Sequence, residues 1–175
     1  MKKESLSLYI FFAVLCLSTI LFWINVSVYM DDVFIYLRVA GNIVNGTGPV
    51  FNPGDGHFPV TGPLWVFLLA LFRFLMPFID LVTLSKLLYV VFLGFASWFG
   101  FLLFRRKAGY WAAAITIPVF FNYITMSYAG GEIALAYFAI FATLWAYTLK
   151  KNHILTGLFL AIVYLARGEL VLLGV

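Results

Sequence analysis

Apolar residues run along this chain in five long blocks, at positions 7–29, 84–104, 111–128, 133–149 and 154–175, separated by short polar stretches. A helix needs about 20 apolar residues to cross the hydrocarbon of a bilayer, so each block predicts a transmembrane helix. A sixth block, 64–76, is apolar but short, carries Arg73 and is stopped by Pro77. Counted as a span it gives six crossings; laid along the interface it leaves five.

Charge decides between the two counts, because Lys and Arg in short loops collect on the cytoplasmic side. With five crossings and Lys2 and Lys3 inside, Arg105-Arg106-Lys107 and Lys150-Lys151 also fall inside. The same count places Asp31, Asp32, Asp55, Asp80 and Glu132 outside and leaves Glu4 as the acid inside. Six crossings would put both later basic clusters outside. The pattern therefore predicts an all-α integral membrane protein with about five transmembrane helices. The chain 1–175 is then a single multi-pass module of the cytoplasmic (inner) membrane with its N-terminus inside, and block 64–76 lies in the outer interface.

Residues 30–83 become one long outer loop. Nine of the eighteen residues from Gly46 to Pro63 are Gly or Pro, a composition that rules out helix and strand and implies a shaped, turn-rich segment. Loops of this length inside a compact structure are usually functional, which makes 30–83 the candidate active-site region. The stretch from Asp31 to Asn45 reads as a second short interfacial helix. At about 100° per residue, Asp31, Arg38, Asn42 and Asn45 form one polar stripe, whereas Val33, Leu37, Ala40 and Val44 face lipid or protein. Asp32 lies one position round. A single carboxylate suffices to cap a helix start, so the second acid is a candidate for chemistry.

Composition agrees with the pattern. Of 175 residues, 65% are hydrophobic and 10% charged, where soluble domains are about half apolar and a quarter charged. The formal charge of +4 sits in short clusters between apolar runs, as orientation signals do, and no nucleic-acid interface is expected. Cys16, the one cysteine, lies inside the first block and excludes an intrachain disulfide. The start resembles a signal peptide, but its apolar stretch exceeds the roughly 7–15 residues of a signal core and reads as an uncleaved anchor.

Further charges stand near the outer side. Glu132 follows Gly130-Gly131, and Arg167 and Glu169 lie near the outer end of the last block. Ionisable groups at membrane depth are costly and face the protein interior or a wet cavity. Arg167 either pairs with a Glu to hold helices together or offers its guanidinium to a phosphate. Lys86 either snorkels or reaches an anion. Arg73 and Asp80 are expected to pair, His57 has no second His near it to share a metal, and Asn45-Gly46-Thr47 reads as a turn rather than a glycosylation site. Pro118 is expected to kink its helix.

The residues Asp31-Asp32, Arg38, Asn42, Gly46, Gly48, Phe51-Asn52-Pro53-Gly54-Asp55 and Thr61-Gly62-Pro63-Leu64-Trp65 resemble the first outer loop of GT-C membrane glycosyltransferases. The resembling branch is the bacterial arabinofuranosyltransferase-like and protein-mannosyltransferase-like one. Gly130-Gly131-Glu132 is similar to its Gly-Met-Glu, and Arg167-Gly168-Glu169 to its Arg-Pro-Glu. Gly62 stands where Ser is usual, and His57-Phe58-Pro59-Val60 replaces a Glu/Val-rich stretch. GT-C enzymes carry more spans, so the resemblance implies the N-terminal half of such a fold, as a fragment or a truncated reading frame.

The resemblance implies inverting transfer of a sugar from a polyprenyl-phosphate donor to a glycan, lipid or protein acceptor at the outer face, in building the cell envelope. Asp31 is the first choice of general base and Asp32 the second. Arg38, Lys86 and Arg167 would neutralise the leaving phosphate, with Asn42 and Glu169 beside them in the substrate site. Glu132 would orient the acceptor or join Asp31 in holding a divalent cation (Mg, Mn or Ca). Two other classes stay open from the residues alone: a non-enzymatic transporter or lipid-binding protein, and an inactive remnant of a glycosyltransferase.

Overall fold

A computed structural model describes residues 3–25, 31–109, 111, 116–117, 121–122, 125 and 127–170. Within them the fold is all-helical, with no strands. Helix α1 covers Lys3–Asn25, α2 Asp31–Val44, α3 Pro63–Leu75, α4 Leu81–Ala108, α5 Ile133–Trp145 and α6 His153–Ala166. A π-helical turn, Ala146–Lys150, extends α5. Three helical stretches are long and apolar enough to cross a membrane: Ser5–Asn25, Leu81–Arg105 and Ile133–Lys150.

Aromatic packing fixes how these helices run. Phe11 near the start of α1 meets Trp98 and Phe101 of α4 at 5.5 and 4.9 Å, and Phe22 near its end stacks on Tyr89 at 5.9 Å. Helices α1 and α4 are therefore antiparallel. Phe92 of α4 meets Phe138 of α5 at 5.6 Å and Phe99 meets Trp145 at 5.1 Å, so α4 and α5 run the same way. Helix α6 returns beside them, with Phe159 against Phe138 and Phe99. Outside this seam, large apolar side chains such as Tyr9, Leu17 and Ile24 of α1, Val91 and Phe95 of α4, and Leu158 and Leu165 of α6 are exposed. A soluble monomer rarely leaves so much contiguous apolar surface uncovered.

This arrangement gathers the acids at one end. The start of α1, Arg105 and Lys107 at the end of α4, and Lys150 and Lys151 after α5 lie at one end of the bundle. Asp80 at the start of α4, Glu132 before α5 and Glu169 after α6 lie at the other. Helix α2 joins that acidic end, its Gly41 approaching Leu81 of α4.

Two sequence expectations change. The block 154–175 was expected to be one long helix, but α6 has 14 residues and stops at Ala166. At about 1.5 Å per residue it is about 21 Å long, short of the roughly 30 Å hydrocarbon core. At the break Arg167 turns extended (φ −152, ψ 107), and its guanidinium is held by two carboxylates, one near in sequence and one distant, described below. Arg73 and Asp80, expected to pair, take other partners. The Arg73 guanidinium donates to the carbonyls of Pro77 and Ile79, closing the turn after α3. Asp80 caps α4 by accepting from the Thr83 N–H at 2.9 Å.

The two short helices and the turn between them form as drawn. Helix α3, with Pro63 at its first turn, runs 13 residues to Leu75, also too short to cross. Helix α2 buries Val33, Tyr36, Leu37, Val39 and Ala40 and leaves Asp31 and Arg38 exposed. Asn45-Gly46 makes a turn, with Gly46 at φ 78. Pro118 and most of the block 111–128, with residues 26–30 and 171–175, fall outside the described residues.

Candidate functional site

The loop between α2 and α3 is held from α2. Arg38 donates through Nε to the Phe51 carbonyl and through Nη2 to Asn52 Oδ1, both at 2.9 Å, and its guanidinium lies 4.4 Å from the Phe51 ring centroid. Asn42 Nδ2 donates to the carbonyls of Val50 and Phe51 at 2.8 and 3.1 Å. Asp55 Oδ2 accepts from the Asn52 N–H at 2.7 Å, so the Asn-Pro-Gly-Asp stretch is closed on itself. Farther on, Phe58 stacks on Phe67 of α3 at 6.1 Å. Arg38 and Asn42 thus act first as clamps that give the Gly/Pro-rich segment its shape.

The clamped loop delivers Thr61 and Gly62 to the start of α3, where four distant segments meet. A Cβ on Gly62 would lie 2.7 Å from the Ala166 carbonyl oxygen and 3.2 Å from Glu132 Cγ. Trp65, fully buried, donates from Nε1 to the Gly130 carbonyl at 3.0 Å. Gly130 has φ 92, and a Cβ there would meet Ser85 Oγ of α4 at 2.9 Å and Val33 of α2 at 3.2 Å. Glycine is required at both places by close approach, and at Gly130 also by the left-handed backbone.

Inside this junction sits a polar cluster. Glu132 Oε1 lies 3.5 Å from Arg167 Nε, and the same guanidinium holds Glu169 Oε1 from Nε and Nη2 at 2.7 Å. The side chains are 10%, 33% and 51% exposed for Glu132, Arg167 and Glu169, so the cluster opens outward through Glu169. Tyr36 completes it, its hydroxyl in hydrogen-bonding relation to Thr61 and Glu132. Burial, with the Glu132 charge second, pushes the Tyr36 phenol well above its ordinary range, so it stays protonated and serves as a donor. Glu169 is held below the usual carboxylate range, chiefly by its own backbone N–H and then by Arg167.

The two acids of α2 lie in its first turn and are exposed. Asp32 is four residues before Tyr36 and shares its side of the helix, as positions i and i+4 do. Asp31 is turned toward the stripe of Arg38, away from the buried face. Lys86 is half-buried in the second turn of α4, next to Ser85, which faces Gly130. The structure therefore brings Glu132, Arg167 and Glu169 into direct contact, leaves Asp32 exposed on the Tyr36 side of α2, and commits Arg38 and Asn42 to the loop.

Tyr36 carries no motif signal in the sequence, and Thr61 stands there only as part of the Thr61-Gly62-Pro63-Leu64-Trp65 stretch. Tyr36 continues the i, i+3, i+7 face of Val33 and Ala40, and a hydroxyl on a buried face signals a polar partner. Among the described residues no three His, Cys, Asp or Glu side chains gather as metal ligands. Glu132 is directed at a guanidinium, so these residues do not fit a resident divalent cation.

Chemically, the junction offers an exposed carboxylate on a helix start, a protonated phenol, and a guanidinium whose outer partner is solvent-facing. That set can take a proton from a hydroxyl and hold an oxyanion beside it. Comparison with protein-family models, curated proteins and solved structures finds no match for the chain.

Proposed function

We propose that this chain carries the first-outer-loop module of a GT-C-type glycosyltransferase, a multi-pass protein of the cytoplasmic membrane. It transfers a sugar from a polyprenyl-phosphate donor to a glycan, lipid or protein acceptor at the outer face. One observation supports this most. Thr61 to Trp65, Gly130-Gly131-Glu132 and Arg167-Gly168-Glu169, stretches that resemble the family, are far apart in sequence and come together at one end of the bundle, where Val33, next to Asp31-Asp32, also packs against Gly130. Three helices able to cross a membrane, with apolar faces exposed, support the placement in a bilayer.

In this reading the acceptor hydroxyl attacks the anomeric carbon from the side opposite the phosphate. The new C–O bond forms as the bond to the phosphate oxygen breaks, configuration inverts, and polyprenyl phosphate leaves. Asp32 receives the hydroxyl proton, in preference to Asp31, because it lies on the side of α2 that carries Tyr36. Arg167 meets the leaving phosphate by exchanging Glu169, the exposed partner, for phosphate oxygens, while Glu132 keeps its position. Lys86 adds positive charge from α4.

The test is sugar transfer by membranes carrying the protein, supplied with a panel of radiolabelled polyprenyl-phosphate sugars. Transfer is expected from at least one donor, abolished by Asp32→Asn and reduced by Asp31→Asn, with both variants inserted at wild-type levels. Loss confined to Asp31→Asn would move the base by one residue. Absence of transfer from every donor, or transfer indifferent to both acids, would sink the enzyme reading and leave solute binding or transport.

A further inference from the structure

The opposite end of the bundle holds a feature that sugar transfer does not use. Leu102 and Arg105 of α4 and Trp145, Leu149 and Lys150 at the end of α5 line a cavity of about 250 Å³. Cations at helix C-termini are accounted for by the carbonyl dipoles, so Arg105 and Lys150 alone would mean little. Their setting adds more. The chain departs from α-helix at Ala146–Lys150 into a π-helical turn, a geometry frequent at functional sites. That turn ends with Lys151 in a left-handed conformation at φ 50, and both the Lys151 and Asn152 N–H groups donate to the Ala146 carbonyl.

The consequence is that Lys150 is set over the Trp145 ring, Nζ 5.4 Å from its centroid, and Trp145 is itself held edge-on by Phe99 at 5.1 Å. The cavity is therefore lined by two exposed cations, Arg105 and Lys150, and by an aromatic and aliphatic wall from Trp145, Leu102 and Leu149. Two cations suit a phosphate. An apolar wall, on helices that leave Phe104 and Leu144 exposed, suits the glycerol and upper acyl carbons attached to one, rather than a free ion.

We infer that this cavity binds the headgroup phosphate of one anionic phospholipid, with Arg105 and Lys150 on the phosphate oxygens and Trp145 against the glycerol. The inference rests on the bilayer placement above but not on glycosyl transfer, and helical content of the chain recovered in nanodiscs reports on that placement separately. The experiment reconstitutes the full chain in nanodiscs of phosphatidylcholine with phosphatidylglycerol, extracts it in mild detergent, and counts retained lipid by native mass spectrometry.

One retained phosphatidylglycerol per chain is expected. Occupancy should fall about tenfold or more in Arg105→Gln/Lys150→Gln, the scale of losing hydrogen bonds to a charged group. A charge-matched control, Lys107→Gln/Lys151→Gln, should keep occupancy near wild type, because neither residue lines the cavity. Equal losses in both pairs would overturn the site in favour of diffuse surface charge. Retention unchanged in Arg105→Gln/Lys150→Gln would overturn it outright. Displacement of the lipid by millimolar inorganic phosphate alone would assign the cavity to a soluble phosphate and overturn the lipid.

Discussion

The two ends of this bundle, one carrying most of the acids among mixed charge and the other basic, hold their charge by opposite means. At the acidic end three ionisable side chains are drawn inward: Glu132 is nearly buried, Arg167 is held between two carboxylates, and Tyr36 is buried on the inner face of α2. Two glycines there admit other segments closer than any side chain would permit. At the basic end, Arg105, Lys107, Lys150 and Lys151 are all exposed. Their charges are spread along helix termini, where they need no partner other than solvent, dipole or lipid. Burying charge demands exact pairing, since an uncompensated partner is costly; displaying it does not. Precision therefore belongs to the acidic end, which is where chemistry is proposed. The basic end suits orientation and lipid contact.

Substitutions at the junction should break this difference most strongly. Gly130→Ala must adopt φ 92 with a side chain and push against Ser85 and Val33. Strained backbone and overpacking each cost about 1–3 kcal/mol, so the thermal midpoint in detergent should fall further than for any other single change considered. Sugar transfer should vanish with it, while lipid retention at the basic end persists. Stability within about 0.5 kcal/mol of wild type would show that the four segments are not packed as described.

Trp65→Phe is milder. It keeps an aromatic ring but strands the buried Gly130 carbonyl, a loss of about 1–3 kcal/mol, and should lower transfer and stability together. A wild-type midpoint would mean that the Trp65 to Gly130 hydrogen bond does not tie α3 to the junction.

The smallest effect is expected at Asp80, which caps α4 from the solvent side of the acidic end. Asp80→Ala should cost about 1 kcal/mol and leave transfer intact. Its hydrogen bonds to Thr83 hold the Asp80 carboxyl below its ordinary value. The capping contribution is then fully present above the unfolded carboxyl range and lost as pH falls through the lower folded value. Wild type and Asp80→Ala should thus differ at neutral pH and converge well below pH 4, about the range where unfolded carboxylates protonate. Urea or thermal unfolding across that range measures it.

Much of the fold was legible because hydrophobic blocks and charge clusters are local signals. Helix α2 follows its stripe, and α3 sits between Pro63 and Pro77 as read. The end of α6 was not legible, since residues 154–175 look uniformly apolar apart from Arg167 and Glu169. Where the helix stops at Ala166, Arg167 turns extended and pairs with Glu132 from a distant segment. The candidate site shows the same division. Motif residues were visible, but the loop-clamping role of Arg38 and Asn42 depends on where Val50 to Asn52 fold back. Tyr36 was hidden because a tyrosine on an apolar face looks like core until its hydroxyl is seen beside Thr61 and Glu132.

Everything proposed for the two ends requires that they face opposite sides of one membrane, and topology labelling tests this most directly. In a Cys16→Ser background, single substitutions Asn45→Cys at the acidic end and His153→Cys at the basic end both place a thiol on an exposed residue. A membrane-impermeant maleimide applied to intact cells should label Asn45→Cys and spare His153→Cys until the membrane is opened. Labelling of both positions in intact cells, or of His153→Cys alone, would contradict the placement of the acidic junction on the outer face and the mechanism built upon it.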